Sequence, residues 1–322
     1  MDVIEQQMSD HLIVREQFDA EQQALLAPWF TNADLPVFGL VNLPETVKGA
    51  MFARYSRYQG TLRQMFLDEF AQDMDGDQLS GAAIEGDRAA GLYERIFLGY
   101  GDDSVAQLGG AHVAMEWVSN VLTKVLQRGR LAAYLEQSTR YIAYDAPMQG
   151  VTVGEREAPG YRYYRGNDLG PAYEETMDFL FSTYSQSLPK VAAWVASEYP
   201  AADGEDEKAH ARAVNTKALD LMRGLLPASS LSHMGMFASG QAYESLLLHL
   251  FASPLPEAQA YGELLLAELQ KVIPSFVQRV ERPERGGRWI DYLRTLKTES
   301  ASWADRLGIG EPQSDVESGP YV

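Results

Sequence analysis

The chain has 322 residues, 46% of them hydrophobic, a formal charge of −18 and no cysteine. The charge excludes a phosphate-tracking polynucleotide surface, which needs clustered Lys and Arg, and the missing cysteine excludes disulfides, thiolate nucleophiles and Cys-based metal sites. No stretch reaches the roughly 18 apolar residues of a membrane span, and residues 1–10 are acidic and polar, unlike a signal peptide, so cytoplasm is the default compartment.

Residues 5–28 read as a polar helical arm that ends in the turn Phe30 to Pro36. Val37 to Val41 is predicted as a strand. Pro44 then opens a helix carrying Val47, Met51, Phe52 and Tyr55, with Ser56 at its end. Asp73 to Asp87 is acidic and Gly-rich and reads as a surface loop around a short helix. The strongest periodicity follows: Val105, Leu108, His112, Met115, Ser119, Leu122 and Leu126 recur at steps of three and four, which predicts a helix over Ser104–Gln127. Ser104 is a natural N-cap there, and a serine at a helix start also serves to hold a phosphate. Gly129 reads as a left-handed cap after that helix, with Arg128 complementing the negative end of its dipole.

Tyr161-Arg162-Tyr163-Tyr164-Arg165 interleaves aromatics with positive charge; in so acidic a chain a strand edge or a lid fits better than a base-stacking platform. Glu174–Ser185 and Lys190–Tyr199 are predicted as two helices divided at Ser187-Leu188-Pro189. Ala201 to Glu207 is a solvated loop, and Ala211–Leu225, Gln241–Leu250 and Glu257–Ile273 are further helices. The chain is therefore dominated by helix, with few strands. Its five histidines, His11, His112, His210, His233 and His249, include no pair at i, i+4 spacing, so each reads as a helix or surface histidine and no metal site is expected. The tail from Thr298 is polar, acidic and Gly-rich, and its stop at Gly319-Pro320-Tyr321-Val322 is what a truncated chain or the first module of a longer protein would present.

The chemistry-bearing stretch is Arg128-Gly129-Arg130-Leu131-Ala132-Ala133-Tyr134-Leu135-Glu136-Gln137-Ser138-Thr139-Arg140-Tyr141. Guanidinium forks donate paired, charge-assisted hydrogen bonds to phosphate and carboxylate, and three of them within fourteen residues of an acidic chain point to a small anionic ligand. Extended from Glu136 to Tyr141, the chain would put Glu136, Ser138 and Arg140 on one face. That face offers a base, a hydroxyl and an anion clamp. The competing reading pairs Arg140 with a structural carboxylate, Glu116 or Asp145.

This stretch resembles the signature of the flavin-dependent thymidylate synthases, Arg-His-Arg, a seven-residue spacer and Ser-x-Arg-Tyr, with Gly129 standing in place of the histidine. Ala53-Arg54-Tyr55-Ser56 resembles the family's Arg-x-Ser, and Asp102 to Gln107 its His-Glu-Ser/Thr-x-x-Glu. Arg223-Gly224-Leu225-Leu226-Pro227 resembles Arg-x-x-Leu-Pro, and Ser253 to Gln259 the helix ending in Ala-Gln. The likeness covers Val37 to Arg282.

The resemblance implies an α+β fold, a helix-rich single domain around a small, mostly antiparallel sheet, with an N-terminal helical arm (1–36), a catalytic-type domain (37–285) and a C-terminal helix with an acidic tail (286–322). It implies reductive methylation of dUMP to dTMP with FAD, methylenetetrahydrofolate and NADPH. Arg140 and Arg223 would grip the dUMP phosphate, Glu136 and Ser138 would lie along the nucleotide, and Ser138 and Arg140 would be the catalytic pair. Arg128 and Arg130 would reach the flavin or folate, while Ser56, Ser104 and Gln107 match FAD-binding positions. Partners would be a nucleotide and further copies of the chain, as a tetramer, or a second module of the same kind, with no polynucleotide and no membrane. Gly129, Val125, Ser253 and the missing Asn-x-Arg of helix 241–250 depart from the pattern. A catalytically impaired relative that binds nucleotide or serves as a structural partner subunit is the alternative.

Overall fold

The computed structural model describes residues 12–43, 45–71, 107, 109–157 and 159–309. The strands are β1 (Val14–Glu16), β2 (Val37–Leu40), β3 (Gly110–Ser119), β4 (Ala132–Glu136), β5 (Val151–Val153) and β6 (Leu231–Ser239). Four of them form one antiparallel sheet in the order β2-β3-β6-β4, and β1 pairs with β5 in a separate two-stranded sheet. The α-helices of seven or more residues are α1 (Ala20–Leu26), α2 (Glu45–Tyr55), α3 (Leu62–Glu69), α4 (Asn120–Leu126), α5 (Pro171–Glu198), α6 (Glu207–Met222), α7 (Gly240–Phe251), α8 (Pro256–Val272) and α9 (Arg288–Arg306). This is the α+β, helix-rich arrangement that the resemblance implied.

The largest departure from the sequence reading is β3. Residues 110–119, expected inside a long helix, are the central strand of the sheet, and only Asn120–Leu126 is helical. Ala111, Val113 and Met115 point into a core closed by α7 and α8 through Tyr243, Leu247, Leu265 and Leu269. Ala114 points the other way, into a core closed by α2 and α3 through Met51, Phe52, Tyr55 and Phe66. A strand buried on both faces loses its polar alternation and reads as a continuous apolar run, which periodicity does not separate from a buried helix. Helix α4 starts at Ser119, whose hydroxyl accepts from Leu122 N. Ser104 and the 73–87 loop lie outside the described residues.

Between Met115 and Val118 the register with β6 slips by one residue, a β-bulge centred on Trp117, which sits at φ 56°. Its amide is satisfied from β6: Trp117 N donates to His233 Nδ1 at 3.1 Å. His233 is therefore a buried strand histidine, not a helix or surface one, and burial, helped by the Arg162 charge, holds its pKa well below the usual value. His112 likewise lies on β3.

The expected N-terminal helical arm is interrupted. Asp19 caps α1 through a capping box with Gln22, and before it β1 places Glu16 inside the protein. There Glu16 pairs with Arg63 at 2.6 Å, both side chains almost fully buried, and accepts from the Thr61 hydroxyl. The 174–199 region is one helix, not two: α5 runs through Pro189. A helix-interior proline costs about 3 kcal/mol, whereas burying one large apolar side chain contributes about 1.5–3 kcal/mol. Met177, Phe181, Tyr184 and Leu188 form a single stripe against Ala218, Leu219 and Met222 of α6, and Val195 continues it past the proline. The summed packing exceeds the cost of the break.

Candidate functional site

The motif strand β4 runs antiparallel to β6 and ends at Glu136, paired with Met234. The extended geometry expected through Tyr141 is not present. Tyr141 N and Ile142 N both donate to Ser138 O, at 3.0 and 3.1 Å, and Arg140 N reaches Ser138 Oγ at 3.3 Å, so the chain turns immediately after the strand. Serine side chains that bond a nearby amide compete with ladder pairing in this way. The turn, not strand alternation, sets the relation of Glu136, Ser138 and Arg140.

Gln137 anchors that turn. Its Nε2 donates to Tyr58 O at 2.8 Å and its Oε1 accepts from Arg162 Nη2 at 3.1 Å, while Arg162 Nε donates to Leu231 O. Arg162 is buried, its guanidinium 4.1 Å from the Tyr144 ring centre. Tyr163 and Arg165 are buried too, with one bridge from Tyr163 to Ser230. The Tyr161–Arg165 stretch is thus neither a lid nor a stacking platform; its cations serve internal carbonyls and an amide.

Around the turn is a cleft of about 640 Å³ lined by Glu136, Gln137, Ser138, Thr139 and Arg223, with Asn120, Val121 and Lys124 of α4 and Ala228 opposite. Glu136 accepts from Gln127 Nε2 at 2.7 Å and from Lys124 Nζ at 3.3 Å. Arg140 and Arg223 converge from distant segments. Arg140 Nε lies 3.3 Å from Asp220 Oδ1, and Arg223 Nη2 lies 3.2 Å from the same oxygen. Neither Glu116 nor Asp145, the carboxylates expected for Arg140, fills that role. About half of each arginine side chain is exposed (51% and 48%), and ion pairs so exposed are worth about 0–1 kcal/mol. Both guanidiniums keep most of their capacity for an anion.

A second cavity, about 670 Å³, opens on the α7 side of β4 and shares Lys124 with the first. Arg128 and Arg130 line it with Lys297 of α9 and His249 of α7; Val125, Tyr134, Met236 and Leu246 give it an apolar wall, and Ser253 closes one side. Among the described residues no aspartate or glutamate lines it. Gly129 is not a left-handed cap: its φ lies outside that region, and α4 is closed by Gln127 at φ −84°. A Cβ at Gly129 would stand 3.1 Å from the Tyr134 hydroxyl, which donates to Gly129 O at 2.9 Å.

The remaining expected site residues divide. Gln107 donates to Gln241 Oε1 at 2.6 Å; Gln241 lines the second cavity, whereas Gln107 itself lines a smaller one beside Gly110, Ala132 and Phe237. Ser56 lies at the end of α2, on the other side of the sheet, where Arg57 stacks over Tyr141 at 5.4 Å; it lines neither cavity. Ser104 falls outside the described residues. Asp220, Lys124, Gln127 and Lys297 are absent from the sequence reading. Asp220 had a legible signal, its i,i+3 spacing to Arg223; Lys297 had none.

Behind the first cleft lies a buried polar network. Glu116 Oε1 accepts from the Tyr55 hydroxyl at 2.6 Å and from Leu62 N at 2.7 Å, and burial, with the nearby Glu16 charge, pushes its pKa up to about 8. Glu257 accepts from Ser119 N and Oγ, and burial pushes its pKa up to about 7. Among the described residues no group of three or more His, Asp or Glu is placed to hold a metal, and no helix is long and apolar enough to cross a membrane.

The family model described as thymidylate synthase complementing protein matches residues 47–275. The UPF0159 protein of Chlamydia muridarum is 38% identical over 313 residues, covering 94% of this chain and 57% of that protein. The UPF0159 protein Ta1429 of Thermoplasma acidophilum is 30% identical over 277 residues, covering 77% and 51%. The chain thus spans about half the length of these curated relatives. Among solved structures, the UMP/dUMP methylase PolB of Streptomyces cacaoi, bound with 5-Br dUMP, aligns at TM-score 0.38 and 15% identity over 64% of this chain and 84% of its own. Thymidylate synthase X (ThyX) of Helicobacter pylori, with FAD and dUMP, aligns at 0.32 and 16% over 73% and 95%. Since the family match runs from α2 through α8 and takes in the turn at Ser138, both converging arginines and the two arginines of the second cavity, this chain belongs to the thymidylate synthase complementing protein family.

Proposed function

We propose that the chain acts on a pyrimidine deoxynucleotide as a flavin-dependent thymidylate synthase, methylating dUMP at the expense of methylenetetrahydrofolate and NADPH. The observation that carries this reading is the convergence of Arg140 and Arg223 on one carboxylate beside the Ser138 cleft. Two guanidiniums sharing a single counter-charge leave unspent positive charge, and phosphate accepts such forks at about 1.5–3 kcal/mol per charge-assisted bond. Ser138 Oγ already accepts from Arg140 N, so its proton is the part left to donate to a pyrimidine edge. Glu136, held by Gln127 and Lys124, is oriented to accept from a sugar hydroxyl or ring N–H.

The second cavity suits FAD by the chemistry of its lining. Arg128, Arg130 and Lys124 match a pyrophosphate, the wall is apolar, and the volume falls within the usual range of cofactor sites, about 300–1,000 Å³. Bound reduced flavin would supply the hydride for the methyl transfer. Arg128 and Arg130 would hold its charged end, with Gln107 behind Gln241 at the margin. Ser56, on the opposite side of the sheet, would serve such a site only from another copy of the chain or another module, and we assign Ser104 its cofactor role on the family pattern alone.

One observation favours the alternative of an impaired, nucleotide-binding partner subunit. Helix α7 offers the cavity no lysine or arginine, and its Glu244 is tied to the buried Arg279. The test is direct. Purified protein is read for flavin absorbance with and without added FAD, then for NADPH oxidation with and without dUMP. Yellow protein whose oxidation rises with dUMP supports the synthase; colourless protein that binds dUMP without oxidation supports the alternative. Failure to bind dUMP ends the synthase and the nucleotide-binding readings and leaves the structural partner subunit.

A further inference from the structure

Helix α9 lies beyond the family match, and its first half packs on α7 through two basic side chains. Arg294 Nη2 donates to Phe251 O at 2.9 Å, and Lys297 Nζ donates to Ala252 O at 3.0 Å, both at the carboxyl end of α7. Such contacts satisfy terminal carbonyls and complement the negative end of the helix dipole. The two residues differ in one respect. Lys297 lines the arginine-lined cavity, and Arg294 does not.

At Lys297 the positive charges meet without relief. Partial burial, and then the Arg128 charge, hold its pKa below the usual lysine value. Among the described residues no carboxylate lines the cavity, and the lysine there with an acidic partner, Lys124, spends it on Glu136 of the neighbouring cleft. Cations drawn together around apolar walls, with no counter-ion among the described lining residues, are the arrangement that an incoming anion stabilises. Arg128 comes from the turn after α4, and Lys297 comes from a helix more than a hundred and fifty residues later; only the docking of α9 brings them to one cavity.

We propose that Lys297 is a ligand-binding residue of this cavity, forming with Arg128 a subsite for the phosphate groups of a bulky, partly apolar ligand of the dinucleotide class. The inference rests on reading the cavity as a cofactor site and adds to it a cation from outside the family match. It gives α9 a functional reason to be docked.

The test uses the full chain. FAD and riboflavin, which share the flavin ring and differ in the phosphates, are titrated calorimetrically into wild type, Arg128→Ala, Lys297→Met, Arg294→Met and the Arg128→Ala/Lys297→Met double variant. Thermal melts verify that each variant folds. Lys297→Met is expected to weaken FAD about tenfold and leave riboflavin within twofold, with the double variant losing less than the product of the single losses, because both cations serve one anion. Arg294→Met, which loosens the same helix, is expected to change FAD affinity less than twofold. The proposal is overturned, with the cofactor reading intact, when Arg128→Ala weakens FAD and Lys297→Met does not. Equal losses for riboflavin and FAD, or equal losses in Lys297→Met and Arg294→Met, overturn it as a matter of helix docking. Wild type that binds no FAD overturns the cofactor reading and this inference together.

Discussion

Arg140 and Arg223, which belong to segments separated by β5, α5 and α6, lie 3.3 and 3.2 Å from the same oxygen, Oδ1 of Asp220. One carboxylate therefore aligns two guanidiniums and half-neutralises them. Replacing Asp220 with Asn removes one negative charge from the cleft. At solvent-exposed separations near 4 Å a unit charge is worth about 1 kcal/mol, roughly fivefold. Asp220→Asn is expected to tighten dUMP binding severalfold at low salt, with the gain fading as ionic strength rises. Calorimetry at two salt concentrations checks it; a weakened variant would mean that Asp220 positions the arginines more than it competes with the ligand.

Arg223→Ala removes one of the two forks. The expected loss in dUMP affinity is about ten- to hundredfold, the equivalent of about 1.5–3 kcal/mol. Deoxyuridine, which lacks the phosphate, should bind wild type and variant alike. Equal losses for both ligands would relocate the phosphate elsewhere.

Gly129 is unconstrained by its backbone, and a Cβ there has one near neighbour among the described residues, the Tyr134 hydroxyl at 3.1 Å, which must give slightly. Gly129→His restores the family's imidazole beside the second cavity. Flavin affinity is expected to rise, with stability changed by less than about 1 kcal/mol, as for other exposed positions. Flavin absorbance retained through gel filtration, compared between wild type and variant, measures the gain.

The pH dependence of stability has a definite sign. Glu257 is raised from 4.5 to about 7 by burial. Between those values the folded state holds a proton that the unfolded state releases, so stability is greatest below about pH 4.5 for this group and declines as pH rises through 7. Glu116, raised to about 8, adds to the decline in the same direction. Denaturant midpoints should fall from pH 5 to pH 8.5. In Glu257→Gln, whose amide still meets Ser119, the profile should flatten; an unchanged slope would remove Glu257 as its source.

Arg63→Met strands Glu16, whose side chain is 1% exposed, without its cation. Breaking a buried pair from one side costs about 3–5 kcal/mol. A loss of that size in chemical denaturation is expected, and the double variant Glu16→Gln/Arg63→Met should recover part of it.

Local chemistry was readable wherever the sequence reports it directly. The Ser-x-Arg-Tyr and Arg-x-x-Leu-Pro spacings named the residues that line the first cleft or pair beside it. The helices near 45–55, 207–222, 240–251 and 256–272 were legible too, from start signals such as Pro44 and Pro256 and from apolar residues recurring at helical steps. Residues 110–119 were not, since a strand packed on both faces carries no alternation, and its apolar residues happened to fall at helical steps. Pro189 spoke for a break that stripe packing on α6 overrides. The joining of Lys297 to Arg128, the sharing of Asp220 and the bonding of His233 to the Trp117 bulge belong to long-range packing. No local pattern encodes which distant segments meet; that follows from how the two faces of the sheet are covered.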